Sequence, residues 1–376
     1  MKKTICIYNI GIGNTELLAT KMRYWQKKGL KIKMVCPRSI VPQFKKLIKG
    51  VEYLEIPFCW EVKSKFVLIF ELLKRSLVAG CLIPQIIRNT DFLYSISSVS
   101  DEVLLPFVIK LLNQKIIWVV LFENEVRLIR PGNFFISLLA YLFYQTSCLL
   151  LRKADKIFVI SDELKSVLLK KGFAKEKLIL TGNAVDSAKI KRAISLRQYW
   201  CDGLFMGRLD ERKGVFDLIK ICQNVTKKHP NFSLWIVGSG DQKTENKLKR
   251  MVNNLGLGQN IRFLGYVSGF RKFRLLANCK VFLFPSHSES FGVALLEAVC
   301  SGVKAVAYDL PTYKSIYLND ELSTVPIGDV RSFSQKVIEL LGKKDFRNLN
   351  GLKLLESTKY RYNRIAQIEL DNFNKL

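Results

Sequence analysis

Two basic residues in the second half of the sequence have the spacing of a site for a phosphorylated ligand. Arg208 and Lys213 lie in a charged loop between Gly207 and Gly214, directly after the apolar stretch 204–206. A guanidinium and an ammonium beside a helix N-terminus can hold one anion, and each charged hydrogen bond contributes about 1.5 to 3 kcal/mol. The residue types therefore predict a diphosphate site, with a solvated loop of mixed charge as the alternative.

A pair of glutamates flanks the start of a predicted apolar helix. Glu297 lies among apolar residues of that helix, where burial of a carboxylate is costly unless it meets a partner such as two ribose hydroxyls. Glu289 lies in the preceding loop, where the backbone NH groups of Phe291, Gly292 and Val293 favour an anionic or polar ligand. The alternative is an acidic cap followed by an ordinary half-exposed helical glutamate.

A glycine-rich turn follows one predicted strand of the second half. Gly238 and Gly240 come after the strand at 233–237, and glycine there would let a ligand approach the backbone closely. This pattern alone is weak, because it is as typical of a tight turn as of a nucleotide site.

The chain also opens with a glycine turn. An apolar strand at residues 4–9 is followed by Gly11, Gly13 and Asn14, and then by a helical stretch at 15–28. Strand, glycine turn and helix in this order indicate the start of a Rossmann-like domain.

The elements that position these residues alternate between strands and helices along the whole chain. The first half includes a long amphipathic stretch at 62–88 and an apolar one at 134–151. Predicted strands of the second half lie at 204–206, 233–237, 261–264, 281–284 and 304–307. This alternation predicts an α/β fold of two tandem Rossmann-like, doubly wound domains. Because such sheets bind ligands at the carboxyl ends of their strands, we expect the site in a central cleft that the two domains face.

The charge predicts an anionic partner. The 376 residues include 60 Lys and Arg against 32 Asp and Glu, a net charge of +28, and residues 1–75 hold 16 basic and 5 acidic residues. Aromatic and apolar residues, Tyr24, Trp25, Phe44 and Ile48, are mixed with this charge, which suits an anionic membrane surface. The basic residues concerned are Lys21, Arg23, Lys27, Lys28, Lys31, Lys33, Arg38, Lys45, Lys46 and Lys49. A solvated basic face is the alternative.

Cysteine and histidine usage indicates a reducing cytoplasm and no metal site. The nine cysteines form no CxxC pair, and the two histidines, His229 and His287, have no nearby thiol to complete a zinc site. The first residues lack the features of a secretory signal. The stretch 134–151 is slightly short and too polar for a bilayer span, so we expect a buried or half-embedded helix there.

Together these residues resemble those of retaining glycosyltransferases with the GT-B fold, glycosyltransferase family 4, and the resemblance covers nearly the whole chain. In that family, the glutamates matched by Glu289 and Glu297 contact the transferred sugar and the donor ribose, and the pair matched by Arg208 and Lys213 holds the diphosphate. The resemblance implies Glu289, Arg208 and Lys213 as catalytic residues. The implied donor-binding set is Gly207, Arg208, Lys213, Gly238, Gly240, Tyr266, Glu289, Phe291, Gly292, Val293 and Glu297.

The resemblance also implies a division of labour along the chain. Residues 1–188 would form an acceptor-binding, membrane-facing domain, and residues 189–354 a domain that binds the nucleotide sugar. Residues 355–376 would form a C-terminal helix that packs back on the first domain.

The acceptor side departs from the family pattern. Many relatives have a histidine after the fifth strand of the first domain, whereas this chain has Glu123 and Glu125 there. Either carboxylate could meet the sugar or the acceptor hydroxyl, and exposed surface carboxylates are the alternative. We expect both on the acceptor side of the site, together with Gly11, Gly13 and Asn14.

The implied reaction moves a sugar, with retention, from a nucleotide-sugar donor to a hydroxyl of a lipid-linked or lipopolysaccharide or polysaccharide acceptor. We expect a UDP-sugar rather than a GDP-sugar, no cofactor and no metal, because the sequence has no Asp-x-Asp pair to hold one. The protein would be cytoplasmic and peripheral on the inner face of the membrane, its basic N-terminal domain on anionic lipid.

Two other classes stay open. A nucleotide-sugar epimerase can share the architecture but needs acid and base residues around the sugar, and the first domain has no histidine. A nucleic-acid-binding protein would explain the charge, but the sequence lacks a helix-turn-helix, zinc-finger or RNP-type signature, so we expect no nucleic-acid partner.

Overall fold

The computed structural model describes residues 3–10, 15–57, 74–126, 128 and 134–375. They form two compact units, the first made of Met1–Asn183 with Tyr362–Leu376 and the second of Ala184–Arg361. Each unit contains one parallel sheet with its own helices. The predicted class of two tandem Rossmann-like, doubly wound domains is therefore confirmed.

The first unit contains a seven-stranded parallel sheet in the order β3-β2-β1-β4-β5-β6-β7. Its strands are β1 (Thr4–Tyr8), β2 (Lys31–Pro37), β3 (Val51–Ile56), β4 (Phe92–Ser95), β5 (Ile117–Phe122), β6 (Lys156–Val159) and β7 (Leu178–Leu180). The order reverses between β1 and β4, and in doubly wound sheets a ligand crevice forms at such a reversal. The central strands are buried because helices cover both faces of the sheet.

Helices of the first unit connect these strands. They are α1 (Thr15–Lys27), α2 (Val41–Leu47), α3 (Ile83–Ile87), α4 (Ser100–Leu112), α5 (Phe134–Leu151) and α6 (Asp162–Lys170), and residues 74–80 are also helical. The amphipathic stretch predicted at 62–88 lies partly outside the described residues, and its described part is divided by a turn at residues 81–82. Among the described residues, no helix is both long and apolar enough to span a membrane.

The second unit contains a six-stranded parallel sheet in the order β10-β9-β8-β11-β12-β13. Its strands are β8 (Cys201–Met206), β9 (Leu234–Val237), β10 (Ile261–Gly265), β11 (Cys279–Phe284), β12 (Lys304–Tyr308) and β13 (Ser323–Val325). The five predicted strands are all present, and β13 is an addition at the edge. The helices are α7 (Ser187–Ile194), α8 (Val215–Thr226), α9 (Gln242–Asn254), α10 (Gly269–Ala277), α11 (Val293–Cys300), α12 (Val330–Leu341) and α13 (Leu349–Glu356).

The last helix, α14 (Tyr362–Asn374), belongs to the first unit. It packs on α1, where the indole NH of Trp25 donates to the carbonyl oxygen of Ala366 at 2.9 Å. The Lys21 ammonium forms a buried ion pair with Glu369 at 2.9 Å. At the end of the helix, the ring of Phe373 contacts the rings of Trp25, Phe92, Tyr94 and Phe158.

Candidate functional site

Most of the predicted donor residues lie in or directly after the loops that follow β8 and β11, where the strand order of the second sheet reverses. Gly238 and Gly240 follow β9, and Tyr266 follows β10. Loop 207–214 follows β8 and loop 285–292 follows β11. The carbonyl oxygen of Arg212 in the first loop accepts two hydrogen bonds from the second loop, from the backbone NH of His287 at 2.8 Å and from the Ser286 hydroxyl at 3.3 Å. This edge is where a doubly wound sheet binds its ligand.

Three glycines allow the strand-end loops to pack backbone against backbone. Gly214 has a φ of +67°, and a side chain there would overlap the carbonyl oxygen of Pro285. Gly238 has a φ of +141° and lies against the carbonyl oxygen of Gly207, and a side chain at Gly240 would meet the backbone of the same loop. These contacts explain the glycines structurally, and a close ligand approach at Gly238 and Gly240 stays a prediction.

Two of the three predicted catalytic residues are in direct contact. The ammonium of Lys213 lies 2.5 Å from the carboxylate of Glu289, and the two side chains are 18% and 9% exposed. The side chain of Asp210 fixes this geometry because it accepts from the backbone NH of Lys213 at 3.2 Å and caps the turn. Lys213 and Glu289 are far apart in the sequence. Their loops follow β8 and β11, which are neighbouring strands at the reversal of strand order, so the two side chains meet.

Arg208, the third predicted catalytic residue, pairs with a different carboxylate. Its Nε lies 3.7 Å from Asp210, which is also paired with Arg212 at 3.4 Å. The Arg208 side chain is 70% exposed, so its guanidinium is accessible to an anion. The β8 loop therefore presents one exposed and one half-buried cation beside the β11 loop.

The second predicted glutamate is buried against a cation that the sequence analysis did not identify. Glu297 lies on α11 with its side chain 6% exposed, and its carboxylate is 2.5 Å from the ammonium of Lys272 on α10. The interpretation of Glu297 as an ordinary half-exposed helical residue is thus wrong. Nothing in the sequence singles out Lys272 from Arg271 and Arg274 on the same short helix, because only the packing of α10 on α11 selects it.

The start of α11 is held rigidly. Gly292 caps this helix with a φ of +82°, and the ring of Tyr313 lies against it. Phe291 is buried with its ring edge-on to Tyr360, at a centroid distance of 6.2 Å. The NH groups of the first helical turn, from Val293 onward, have no acceptor within the helix, so this end of α11 favours an anionic or polar group.

His287 in the β11 loop contacts Asp217 on α8, and the sequence analysis missed this contact. His287 Nε2 lies 2.9 Å from a carboxylate oxygen of Asp217 on α8, and the Tyr308 hydroxyl donates to the same oxygen at 3.0 Å. Burial and this carboxylate raise the pKa of Tyr308, so it remains a donor. The sequence analysis considers His287 only as a metal ligand, although its position in the loop between β11 and α11 is a signal for a role in the site.

Tyr266 lies at the third strand end of the same edge. It follows Gly265, whose carbonyl oxygen accepts from the backbone NH of Gly238 at 2.9 Å. The Tyr266 side chain is 77% exposed. An aromatic ring in this position could stack on a flat ligand group, as expected for a residue that borders a nucleotide base.

In the first unit, Glu123 is part of a buried charged cluster. It follows β5, and burial raises its pKa to about 7, with the positive charge of Lys21 opposing this shift and the negative charge of Glu369 adding to it. Lys21 also donates to the Tyr94 hydroxyl at 3.2 Å. Burial likewise raises the pKa of Glu369. Glu123 and Glu125 are both half-buried, so neither is the exposed surface carboxylate of the alternative interpretation.

The turn at Gly11, Gly13 and Asn14 lies outside the described residues. The residues just before it are unusual for a strand end. The Tyr8 hydroxyl and the side-chain oxygen of Asn9 are buried, and neither has a hydrogen-bond partner among the described residues. Buried polar groups normally have partners, so this end of β1 offers hydrogen-bonding capacity to a ligand.

The basic N-terminal surface differs from the prediction. Trp25, Phe44 and Ile48 belong to the core, and the side chains of Lys21 and Lys33 are buried. The remaining basic residues of the segment are exposed: Arg23, Lys27, Lys28, Lys31, Arg38, Lys45, Lys46 and Lys49. Of the aromatic and apolar residues in the predicted mixture, only Tyr24 is half-buried rather than buried, because the helical period turns the other large side chains inward. A membrane-facing role of this surface stays a prediction.

The thiols and carboxylates of the described residues form no group of three or more His, Cys, Asp and Glu side chains that could hold a metal ion. The eight described cysteines are unpaired, and all except Cys81 are buried. Burial raises the pKa of Cys300, the last residue of α11, to about 12, which keeps this thiol protonated.

The second unit matches a known protein family. Residues 202–350 match the family model of the glycosyl transferases group 1. This range includes both site loops, Lys213, Glu289, Lys272 and Glu297.

One curated relative matches part of the chain. The phosphatidyl-myo-inositol mannosyltransferase of Mycobacterium leprae (strain TN) is 35% identical over 141 residues, which are 37% of this chain and 36% of that protein. The chain thus matches little more than a third of the length of that curated relative.

Two structures match over the full chain. Sucrose-phosphate synthase from Thermosynechococcus elongatus has a TM-score of 0.78 at 14% identity and covers 100% of this chain and 99% of that one. HepE from Anabaena, in complex with UDP and glucose, has a TM-score of 0.74 at 14% identity and covers 100% of both chains. At this identity the likeness concerns the fold. The comparisons place a glycosyl transferases group 1 domain in the second unit and give the chain the GT-B fold.

Proposed function

We propose that the protein is a retaining glycosyltransferase of family 4 that moves a sugar from a nucleotide sugar to an acceptor hydroxyl. The observation that carries the proposal is the Lys213–Glu289 pair at the reversal of the second sheet, within the region that matches the glycosyl transferases group 1. Buried Glu297 lies on α11, the helix that follows the loop of Glu289.

In this proposal the second unit binds the donor. Arg208 and Lys213 hold the diphosphate, Glu297 accepts from the ribose hydroxyls, and Glu289 contacts the transferred sugar. Tyr266 borders the base, and we favour UDP over GDP, as in the HepE complex with UDP and glucose. The contacts with Lys213 and Lys272 orient the carboxylates of Glu289 and Glu297 before the donor arrives.

Negative charge grows on the diphosphate as the glycosidic bond breaks, and the chain's own cations would stabilise it. Arg208, Lys213 and the NH groups at the start of α11 point toward one edge of the sheet, and preorganised donors of this kind are often the largest contribution to catalysis. We infer that no metal is required. Retention would follow from attack of the acceptor on the same face that the diphosphate leaves, with the departing phosphate taking the acceptor proton.

The acceptor is proposed to be a lipid-linked glycan, or a lipopolysaccharide or polysaccharide, at the cytoplasmic face of the membrane. The name of the mannosyltransferase relative states a phosphatidylinositol acceptor, which supports a lipid. Exposed basic residues of α1, α2 and the following strands, such as Lys27, Lys31 and Lys46, would attract anionic headgroups. In the first unit, Glu123 and Glu125 would face the acceptor side.

The direct test is transfer itself. Purified protein is incubated with UDP-, GDP- and ADP-sugars and a membrane lipid extract, and products are followed by mass spectrometry, with and without EDTA. We expect one UDP-sugar to give an EDTA-resistant, sugar-modified product in which NMR shows the anomeric configuration of the donor, and Glu289→Gln to abolish it. Donor turnover to another free nucleotide sugar, without acceptor glycosylation, would instead support an epimerase.

A further inference from the structure

Helix α5 is apolar on all sides, but the first unit covers only one of them. Residues 134–151 contain no charged side chain. A helix of this kind is normally buried all round. Its polar residue Ser147 and its ring residue Tyr144 face inward, whereas Phe135, Leu142 and Leu149 are 78%, 52% and 65% exposed. We call Phe135, Leu139, Leu142 and Leu149 the apolar stripe. They repeat at helical spacing, so they lie along one face.

The neighbouring helix extends this apolar surface. Helices α4 and α5 pack against each other, and the Ser100 hydroxyl lies 3.0 Å from that of Ser147 at their contact. On α4, Leu104, Leu111 and Leu112 are exposed as well. Two neighbouring helices thus both carry exposed leucines, and large exposed apolar patches mark interaction sites.

The charge around the stripe indicates the partner. Lys171 lies beside the α5 turn that precedes Leu149, with its ammonium 3.0 Å from the Gln145 side chain and 5.0 Å from the Tyr144 ring centre. Arg152, Lys153 and Lys170 are exposed at the same end of the helix. Cations that border an apolar helix face complement an anionic lipid surface, which takes the apolar side chains below its headgroups.

We propose that the apolar stripe inserts into the headgroup boundary of an anionic phospholipid membrane, with α5 lying in the membrane plane. At 18 residues the helix is about 27 Å long, which gives a flat contact with Phe135 near one end and the cations at the other. The inference rests on the proposed membrane acceptor and adds the element that anchors the protein. The N-terminal basic surface supplies mainly electrostatic attraction, because Trp25 and Phe44 are buried and Tyr24 is half-buried.

The test is co-sedimentation with vesicles of phosphatidylglycerol and phosphatidylcholine at low salt and at about 0.5 M salt, where electrostatic attraction is largely screened. The variant is Leu142→Gln with Leu149→Gln. The matched control is Leu318→Gln with Leu349→Gln, since these leucines of the second unit are 67% and 58% exposed. Phe135→Gln is a second, independent variant. We expect at least tenfold weaker partitioning of the stripe variants at high salt and no change in the control.

Each other outcome contradicts the inference. Unchanged partitioning of both stripe variants would show that charge alone holds the protein on lipid. Loss of a dimer, or of a protein complex, without an effect on vesicle binding would make the stripe a protein interface. If the wild-type protein does not co-sediment with the vesicles, α5 is not a membrane anchor. Stabilisation by a nucleotide sugar, measured in the same samples, reports separately on the proposed donor site.

Discussion

At the residue scale, the buried carboxylate of Glu297 is paired with a cation from a neighbouring helix. This cation is the ammonium of Lys272. In Lys272→Met the carboxylate would stay buried without its cation, and we expect the free energy of unfolding to fall by about 1 to 3 kcal/mol. Urea denaturation measures this change.

The double variant is the control for this pair. Lys272→Met combined with Glu297→Gln removes both charges, so it should recover part of the loss, since a neutral pair carries no uncompensated buried charge. The pairing would be contradicted if the double variant lost more free energy of unfolding than the two single variants lose together.

A comparison of Arg208 with Arg212, in the same loop, distinguishes an effect on ligand binding from an effect on stability. Arg208 and Arg212 both pair with Asp210, and exposed pairs of this kind contribute only about 0 to 1 kcal/mol. Arg208→Ala should therefore leave the melting temperature almost unchanged but weaken nucleotide-sugar binding about 10- to 100-fold, the effect of a lost charged hydrogen bond. Calorimetric titration measures the affinity. Equal weakening in Arg212→Ala would show a general charge effect instead.

The raised pKa of Glu123 makes stability depend on pH. Its pKa is about 7 in the folded chain, against the usual 4.5. Between these values the folded state holds a proton that the unfolded state releases, so the free energy of unfolding falls as pH rises through this window. Glu123→Gln should match wild type near pH 4 and exceed its stability by about 1 to 3 kcal/mol at pH 8.

Glu125→Gln is the matched control for that pH series. It removes the same charge two residues away, outside the cluster formed with Lys21 and Glu369. Denaturation curves from pH 4 to 8 that are parallel for wild type and Glu123→Gln would contradict the assignment of a buried, protonated Glu123.

The residue types of the donor site could be predicted, but most of their partners could not. Arg208, Lys213 and the two glutamates stand out because charged residues at strand ends and in an apolar helix need a reason to be there. Lys272 and the Asp217–His287 contact depend on which helices pack together. A short basic helix gives no sign in sequence of which cation faces inward.

At the element scale, α14 packs the C-terminal end of the chain onto the first unit. Phe373 is fully buried among four aromatic rings of the first unit. Phe373→Ala should lower the free energy of unfolding by about 3 to 5 kcal/mol, because the ring leaves a cavity in a closely packed cluster. Phe135→Ala on exposed α5 should stay within about 0.5 kcal/mol of wild type. Denaturation of both variants checks this, and a small effect of Phe373→Ala would contradict the packing.

Strands were easier to predict than the faces of helices. Short apolar runs bounded by glycine or polar residues identified all five predicted strands of the second unit, while the three-residue edge strand β13 escaped notice. In α1 and α2, the basic residues drew attention to a surface, but Trp25 and Phe44 are core residues. Composition alone could not separate the two faces, whereas the helical period places these rings inward.

At the level of the whole molecule, the alternation of strands and helices was enough to predict two doubly wound units. The family match and the paired charges both lie in the second unit, so the donor chemistry is proposed there. The first unit contains the charged cluster of Lys21, Glu123 and Glu369, an exposed basic surface and the apolar stripe, and the proposals for the acceptor and for membrane contact depend on these features.

Stabilisation by nucleotides tests the proposed donor site most directly. Thermal unfolding is measured with UDP, GDP, ADP and their sugars for wild type, Arg208→Ala, Glu297→Gln and the control Arg212→Ala. We expect UDP and one UDP-sugar to stabilise wild type and the control, by about 2.7 kcal/mol at a hundredfold excess over the dissociation constant, and to have little effect on the other two variants. Absence of any shift, or equal shifts in all four proteins, would contradict a donor site between the β8 and β11 loops.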